Sequence, residues 1–334
     1  MRYDLAIIGS GGAAFAAGIT ARDAGASVVM VERGSVGGTC VNTGCVPSKA
    51  LLAAAAARHD AESQRFPGIA TRAGPVDMAA LAGGKDDLVA AMRASKYVDL
   101  AADYGWQILA GTARFAGTAD APGLQVRFND GGTATIEAGQ YLVATGAAPW
   151  IPPIGGLAGA GYLTSATAME LTELPESMLV IGGNAVGLER AQMFARLGVT
   201  VTIAEALDRL APFDELQVSA AIEDAFDDEG IGILTTATVM SVRGDATARS
   251  VTIKTAGGPE RELLYGQILV AAGRHPATAG LSLDAIGVKT GARGEIITDE
   301  YQRTANPRIW AAGDVTGGPQ FVYCLLYTSP SPRD

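Results

Sequence analysis

The chain opens on a short apolar run, Leu5-Ala6-Ile7-Ile8, which stops at Gly9-Ser10-Gly11-Gly12 and gives way to an Ala-rich stretch reaching about Ala24. An apolar run this short, bounded by glycine, predicts a buried strand, and the longer stretch after it predicts a helix. A second apolar run, Val28-Val29-Met30-Val31, predicts another strand and ends on Glu32. The same order returns in mid-chain. Met178-Leu179-Val180-Ile181 leads into Gly182-Gly183-Asn184-Ala185-Val186-Gly187, a helix to about Leu197, a strand over 199–204, and then Glu205. The interval from Gly9 to Glu32, 23 positions, recurs from Gly182 to Glu205. Strand, glycine turn, helix, strand and acid, occurring twice, predict an α/β protein with two Rossmann-like dinucleotide-binding units.

Each residue type in the repeated turn has a physical task. Gly9 permits the tight turn, Gly11 lets the backbone approach a pyrophosphate, and Ala14 is small enough for close helix–strand packing. The helix N-terminus offers free N–H groups and the positive end of its dipole to phosphates. Glu32 is placed to accept from ribose hydroxyls. In the second unit Gly182 and Gly187 fill the outer glycine positions, with Gly183 beside them. Asn184 stands where the second glycine belongs; it tolerates positive φ but brings a side chain toward the pyrophosphate. Glu205 is expected to bind a 2′-hydroxyl and repel a 2′-phosphate, with Arg209 nearby as partial compensation, so NADH should serve at least as well as NADPH. Two such sites imply one tightly held and one exchanging dinucleotide, for which FAD and a nicotinamide cofactor, NAD(P)H, are the natural pair.

Composition narrows the function classes. The 334 residues are 48% hydrophobic and carry a net charge of −10, which argues against nucleic acid or an anionic membrane as partner. No apolar run approaches the ~18–20 residues of a spanning helix. The N-terminus runs directly into a strand without a charged and then apolar leader, so a cytoplasmic protein is expected. Three cysteines in this length exclude a disulfide scaffold.

Two of those cysteines lie in Gly37-Gly38-Thr39-Cys40-Val41-Asn42-Thr43-Gly44-Cys45-Val46-Pro47-Ser48-Lys49. If a helix begins near Thr39, Cys40 and Cys45 fall near one face, and a distorted first turn would let them pair. Thiols at a helix N-terminus, with Lys49 one turn beyond, are expected to have depressed pKa values. Structural zinc needs about four ligands, and neither His59 nor His275 has the spacing to join these cysteines. An inert buried pair is the remaining alternative.

The segment 37–49 resembles the redox-active motif of the class I pyridine nucleotide-disulfide oxidoreductases, the flavin disulfide reductases with a glutathione reductase-like fold. Further marks follow in the family's order: Gly111-Thr112-Ala113-Arg114-Phe115, Ala144-Thr145-Gly146, Ala271-Ala272-Gly273-Arg274-His275-Pro276, and Ala312-Gly313-Asp314. The resemblance implies a discontinuous FAD domain over 1–149 and 275–323, with an NAD(P) domain over 150–274 inserted. It assigns Gly9, Gly11, Ala14, Glu32, Gly34, Gly38, Thr39, Lys49, Ala113, Thr145, Gly146, Gly313, Asp314 and Val322 to FAD. It assigns Gly182, Gly183, Asn184, Gly187, Glu205 and Gly273 to NAD(P). By the same resemblance Cys45 is the thiolate nearest the flavin and Cys40 the outer, exchanging thiol. Lys49 then lies near the reactive flavin nitrogen, paired with Glu189. The wording of 3–14, 93–97, 182–189 and 319–323 is closest to the family's mercury(II)-reducing branch, in which Cys40 and Cys45 would ligate Hg(II) as substrate. Dihydrolipoamide dehydrogenase is the alternative within the family, with a small disulfide as substrate. A flavin-bearing redox sensor is the alternative outside enzymes.

Members of this family continue into a C-terminal dimerisation domain and act as homodimers. Here 324–334 has no helical periodicity and contains Ser329-Pro330-Ser331-Pro332. It reads as a non-native tail of the kind made by translating sequencing-adapter read-through, with a natural disordered tail as the alternative. The dimerisation domain is therefore expected to be missing from this sequence.

Overall fold

The computed structural model describes residues 2–320 apart from 65, 246 and 319. The assignment of Val322 to FAD and the reading of 324–334 as a tail fall outside the described residues. The described chain packs as two compact units. One comprises the chain up to Cys45, Leu88–Ala148 and the part from Arg274 onward; the other comprises Val46–Asp87 and Pro149–Gly273. No helix among the described residues is long and apolar enough to cross a membrane.

The first unit is built on β1 (Arg2–Ile8), α1 (Gly12–Asp23) and β2 (Val28–Glu32). The redox segment follows as α2 (Gly38–Asn42) and α3 (Cys45–Glu62), then α4 (Met78–Arg93) and α5 (Asp99–Asp103). Strands β3 (Gln107–Gly117), β4 (Pro122–Phe128) and β5 (Thr133–Val143) complete its main body. The parallel sheet runs β3, β2, β1, β5 and finally the short strand Ile309–Ala311. β3 and β5 are long because each does two jobs. Their outer halves leave the parallel sheet and pair antiparallel with β4. Ile7, Val29 and Met30 have no exposed surface, as expected of parallel strands covered on both faces.

The second unit repeats the device with β6 (Ser177–Ile181), α6 (Ala185–Leu197), β7 (Thr200–Ala204), α7 (Leu216–Asp228) and β8 (Gly232–Leu234). Its parallel sheet runs β8, β7, β6, Gln267–Val270 and Leu163–Thr164. A three-stranded antiparallel sheet, Ala237–Gly244, Arg249–Thr255 and Glu260–Tyr265, accompanies it.

The packing divides the chain differently from the sequence reading at one place. Residues 46–87 were grouped with FAD, yet Leu51 and Ala55 of α3 and Met78 of α4 share a core with Met169, Met178 and Phe194 of the second unit. Apolar periodicity identifies the buried face of a helix, and it does not say which neighbour covers that face.

Candidate active site

In each unit the glycine turn sits at the carboxyl end of the first strand, where open α/β sheets bind ligands. Gly9 has φ +100°, and a Cβ there would stand 2.3 Å from the Ala144 carbonyl oxygen. Gly11 caps α1 with no side-chain hydrogen bond, which leaves the first N–H groups of this 12-residue helix for an anion. Gly38 approaches so closely that its Cβ would lie 2.6 Å from Gly11 Cα. Ser10 donates to Glu32 Oε2 at 2.6 Å, and Gly34 N donates to Glu32 Oε1 at 2.8 Å, fixing the acid at the end of β2. Thr145 Oγ1 is buried with no hydrogen-bond partner among the described residues. Such a group needs a partner, and a ligand in the turn can supply it. Gly146 (φ +68°) and Gly313 (φ +86°) hold conformations that L side chains rarely adopt. Burial raises the Asp314 carboxyl above its ordinary range, opposed by the charge of Arg274. The bare helix end, the unpartnered hydroxyl and the acid held at the end of β2 fit a dinucleotide. Ala113 differs from the rest, because its methyl group is buried in the sheet core and only its backbone is left for a ligand.

The redox segment departs from a single helix. Cys40 lies inside α2, whereas Cys45 is the first residue of α3. Between them Thr43 has φ −140°, and a Cβ on Gly44 would meet the Thr39 carbonyl oxygen at 2.9 Å. The chain folds back too tightly there for a helix to continue. Cys45 is exposed and Cys40 half-buried. The expected lowering of both pKa values fails at Cys40. Burial, followed by the hydrogen bond and charge of Cys45, pushes it up to about 11.

Two neighbours of the thiols carry no role in the sequence reading. Tyr97 sits on a five-residue π-helical turn, Ala94–Val98, and its ring lies against Gly37. Burial, then the charges of Cys40 and Cys45, raise its phenol. π-Turns are frequent at functional sites, but nothing in the apolar pattern marks one. Asn42 Nδ2 donates to the Val36 and Gly38 carbonyls at 2.9 Å each, while its Oδ1 accepts from Arg93 Nη1 at 3.0 Å. Asn42→Ala removes the side-chain donor to two carbonyls and the acceptor of a guanidinium N–H. It is expected to cost about 1–3 kcal/mol in denaturant unfolding, with faster alkylation of Cys40 as α2 loosens.

In the second unit Lys49 forms an ion pair with Glu189 of α6. Both side chains are largely exposed, so the pair contributes about 0–1 kcal/mol and chiefly orients the ammonium. Gly182 has φ +112°, and a Cβ on Gly187 would be 2.0 Å from the Gly182 carbonyl oxygen. Gly273 also has positive φ, +127°. Asn184 does not need the positive φ that asparagine tolerates. Its φ is −109° in extended backbone, and its Oδ1 accepts from Ala185 N at 2.9 Å. Glu205 is buried, and its oxygens accept from Gly183 N at 2.6 Å and Leu207 N at 2.8 Å.

The family model described as pyridine nucleotide-disulphide oxidoreductase matches residues 3–325. The chain belongs to this family. FAD and NAD(P)H are the cofactors that go with it, and both turns have the geometry to receive a dinucleotide. A mercuric reductase of Streptomyces lividans is 58% identical over 322 residues, covering 96% of this chain and 67% of that protein. A mercuric reductase of Staphylococcus aureus is 44% identical, covering 97% of this chain and 58% of its own length. The chain thus spans half to two thirds of the curated relatives it matches. Among solved structures, the Cu(II) complex of the HOCl-induced flavoprotein disulfide reductase RclA from Escherichia coli superposes with a TM-score of 0.86. It is 30% identical and covers 98% of this chain and 69% of that one.

Proposed function

We propose that this chain supplies the flavin and nicotinamide units of a mercury(II) reductase. The observation that carries the reading is the Cys40–Cys45 dithiol, placed at the α2–α3 break of the unit that holds the Glu32 turn, in a chain whose curated relatives are mercuric reductases. Two thiolates are the soft donors that Hg(II) selects. Gly9, Gly11, Glu32, Thr145 and Asp314 would hold FAD, and Gly182, Gly187 and Glu205 would hold the nicotinamide cofactor. When bound, these cofactors supply the two electrons that take Hg(II) to Hg(0). The protein's own part is to bind the metal ion, release it reduced, and manage the thiol protons. Cys45 is the flavin-side thiolate and Cys40 the exchanging one; Lys49, held by Glu189, presents a positive charge. A cytoplasmic homodimer is the expected full-length form, supported by the family resemblance and checked by light scattering.

The test is NAD(P)H oxidation by the full-length, flavin-loaded protein. Hg(II) in the presence of excess small thiol should drive it well above the rate with a dithiol-derived disulfide. Faster turnover with lipoamide would overturn the mercury assignment, and slow turnover with every acceptor would point to a sensor.

Proton release follows from the same site. Because the Cys40 pKa is raised to about 11, the group is neutral near pH 7 and Hg(II) must displace its proton. Apparent affinity for Hg(II) should therefore rise with pH, by about tenfold per unit for each proton displaced, and level off only above the thiol pKa. Indicator-dye measurement of released protons checks this; binding without release below pH 9, a point about two units under that pKa, would contradict it.

A further inference from the structure

Four aromatic rings lie in file within the first unit. Tyr97 meets Phe15 edge-on at 4.8 Å between ring centroids, and Phe15 meets Trp106 edge-on at 5.5 Å. Trp106 lies tilted against Tyr104 at 5.6 Å. The file starts at the dithiol. The Tyr97 ring stands against Gly37, three residues before Cys40, and its phenol lies within the field of both Cys40 and Cys45. It ends on Tyr104, a part-buried residue at the C-terminal cap of α5.

Packing alone accounts for Phe15 but not for Trp106. Trp106 is 6% exposed, and its Nε1 is buried with no hydrogen-bond partner among the described residues. An indole N–H left unpaired in this apolar cluster costs about 1–3 kcal/mol, a penalty that phenylalanine in the same place would not incur. What indole has and phenyl lacks is the ease of giving up one electron. Tyrosine shares that property, and with cysteine these are the side chains most readily oxidised in one-electron steps. The missing acceptor fits the same use. An oxidised indole here keeps its proton, so it can be restored by an electron alone.

We propose that Tyr97, Trp106 and Tyr104, with Phe15 bridging the first two, carry a one-electron oxidation away from the dithiol to the surface. The co-reactant is a one-electron oxidant of the oxygen-radical class. It takes one electron from the Cys40 or Cys45 thiolate, is itself reduced to an anion, and leaves a sulfur radical. The sulfur recovers an electron from Tyr97, Tyr97 from Trp106, and Trp106 from Tyr104. The Tyr97 phenolic proton moves to the sulfur with the first electron and returns with the second. The sulfur is then a thiolate again and the inner rings are unchanged. Tyr104 alone is one electron short, and its phenolic proton goes to water. A soluble thiol at the surface returns one hydrogen atom to the phenoxyl oxygen and becomes the radical in its place. Without this path the sulfur radical adds oxygen and moves toward sulfinic and sulfonic acids, from which the thiol is not recovered. The proposal does not depend on which acceptor the dithiol reduces.

The test uses the full-length, flavin-loaded protein with its dithiol reduced, and two oxidants. A water-soluble azo initiator supplies peroxyl radicals, whereas hydrogen peroxide oxidises thiols in two-electron steps. Mass spectrometry reads sulfinic and sulfonic acid at Cys40 and Cys45 after equal doses. Trp106→Phe and Tyr104→Phe are each expected to raise that yield about threefold or more with peroxyl radicals, and to leave it at the parent value with peroxide. Peroxide checks for a merely loosened site, which would admit both oxidants. Oxidation of Tyr104 by peroxyl radicals should fall when Cys40 and Cys45 are both replaced by Ser, because the electron deficit enters at sulfur. Should Trp106→Phe misfold, Tyr104→Phe, nearer the surface, still decides. Equal yields in parent and variants with peroxyl radicals, a rise with both oxidants, or Tyr104 oxidation unchanged without the cysteines would each overturn the path.

Discussion

Cys45→Ser in the full-length, flavin-loaded protein is expected to lower Hg(II)-dependent NAD(P)H oxidation by more than about a hundredfold. It should also remove the long-wavelength thiolate–flavin absorption on two-electron reduction. Cys40→Ser should lose turnover to a similar degree while retaining or enhancing that absorption. The physical basis is that the two thiols differ in setting. Cys45 begins α3 and is exposed. Cys40 sits inside α2 beside Tyr97, its pKa held up to about 11 by burial and by Cys45. Deleting Cys45 removes the more exposed thiol and also two of the influences that keep Cys40 protonated. Deleting Cys40 leaves Cys45 without its exchange partner. Either deletion halves the soft donor set for Hg(II). Absorption surviving in Cys45→Ser and lost in Cys40→Ser would exchange the two roles.

Gly9→Val is expected to yield protein without flavin. The residue adopts φ +100°, which a β-branched side chain does not tolerate, and its Cβ would lie 2.3 Å from the Ala144 carbonyl oxygen. That oxygen cannot retreat. Ala144 N is bonded to the Ile8 carbonyl at 2.9 Å, and β1 is paired in parallel with β5 just before it. A clash on backbone locked in a central ladder is expected to cost more than about 3 kcal/mol and to close the turn to a pyrophosphate. Gly18→Ala in α1 is the control. A Cβ there meets the Trp106 ring at 3.4 Å, an ordinary contact, and a helical alanine is favoured over glycine. Flavin absorbance of the purified proteins should be lost in the first variant and kept in the second. Full flavin content in Gly9→Val would remove this turn from the FAD site.

The sequence alone determined the parts of this protein that depend on local covalent geometry. Short apolar runs fixed the parallel strands, because a strand buried on both faces has no polar positions to show. Glycine at 9 and 182 marked turns of positive φ, Gly187 marked the close approach of α6 to the second turn, and Glu32 and Glu205 closed each unit at an equal interval. Cys40 and Cys45 announced thiol chemistry by type and spacing. The tertiary structure decided what depends on neighbours distant in the chain. Tyr97 reaches the thiols across some fifty residues through a π-turn that has no signature in the apolar pattern. The rise of the Cys40 pKa comes from burial, which spacing does not report, and the helix break comes from the close approach of Gly44 to Thr39. Asn184 became an extended cap because its side chain found the adjacent N–H. Glu205 and Arg209 looked like two charges facing one ligand. Folding tied the first to backbone donors and absorbed the second into its own loop, because buried polar groups take the nearest partners that the fold brings to them.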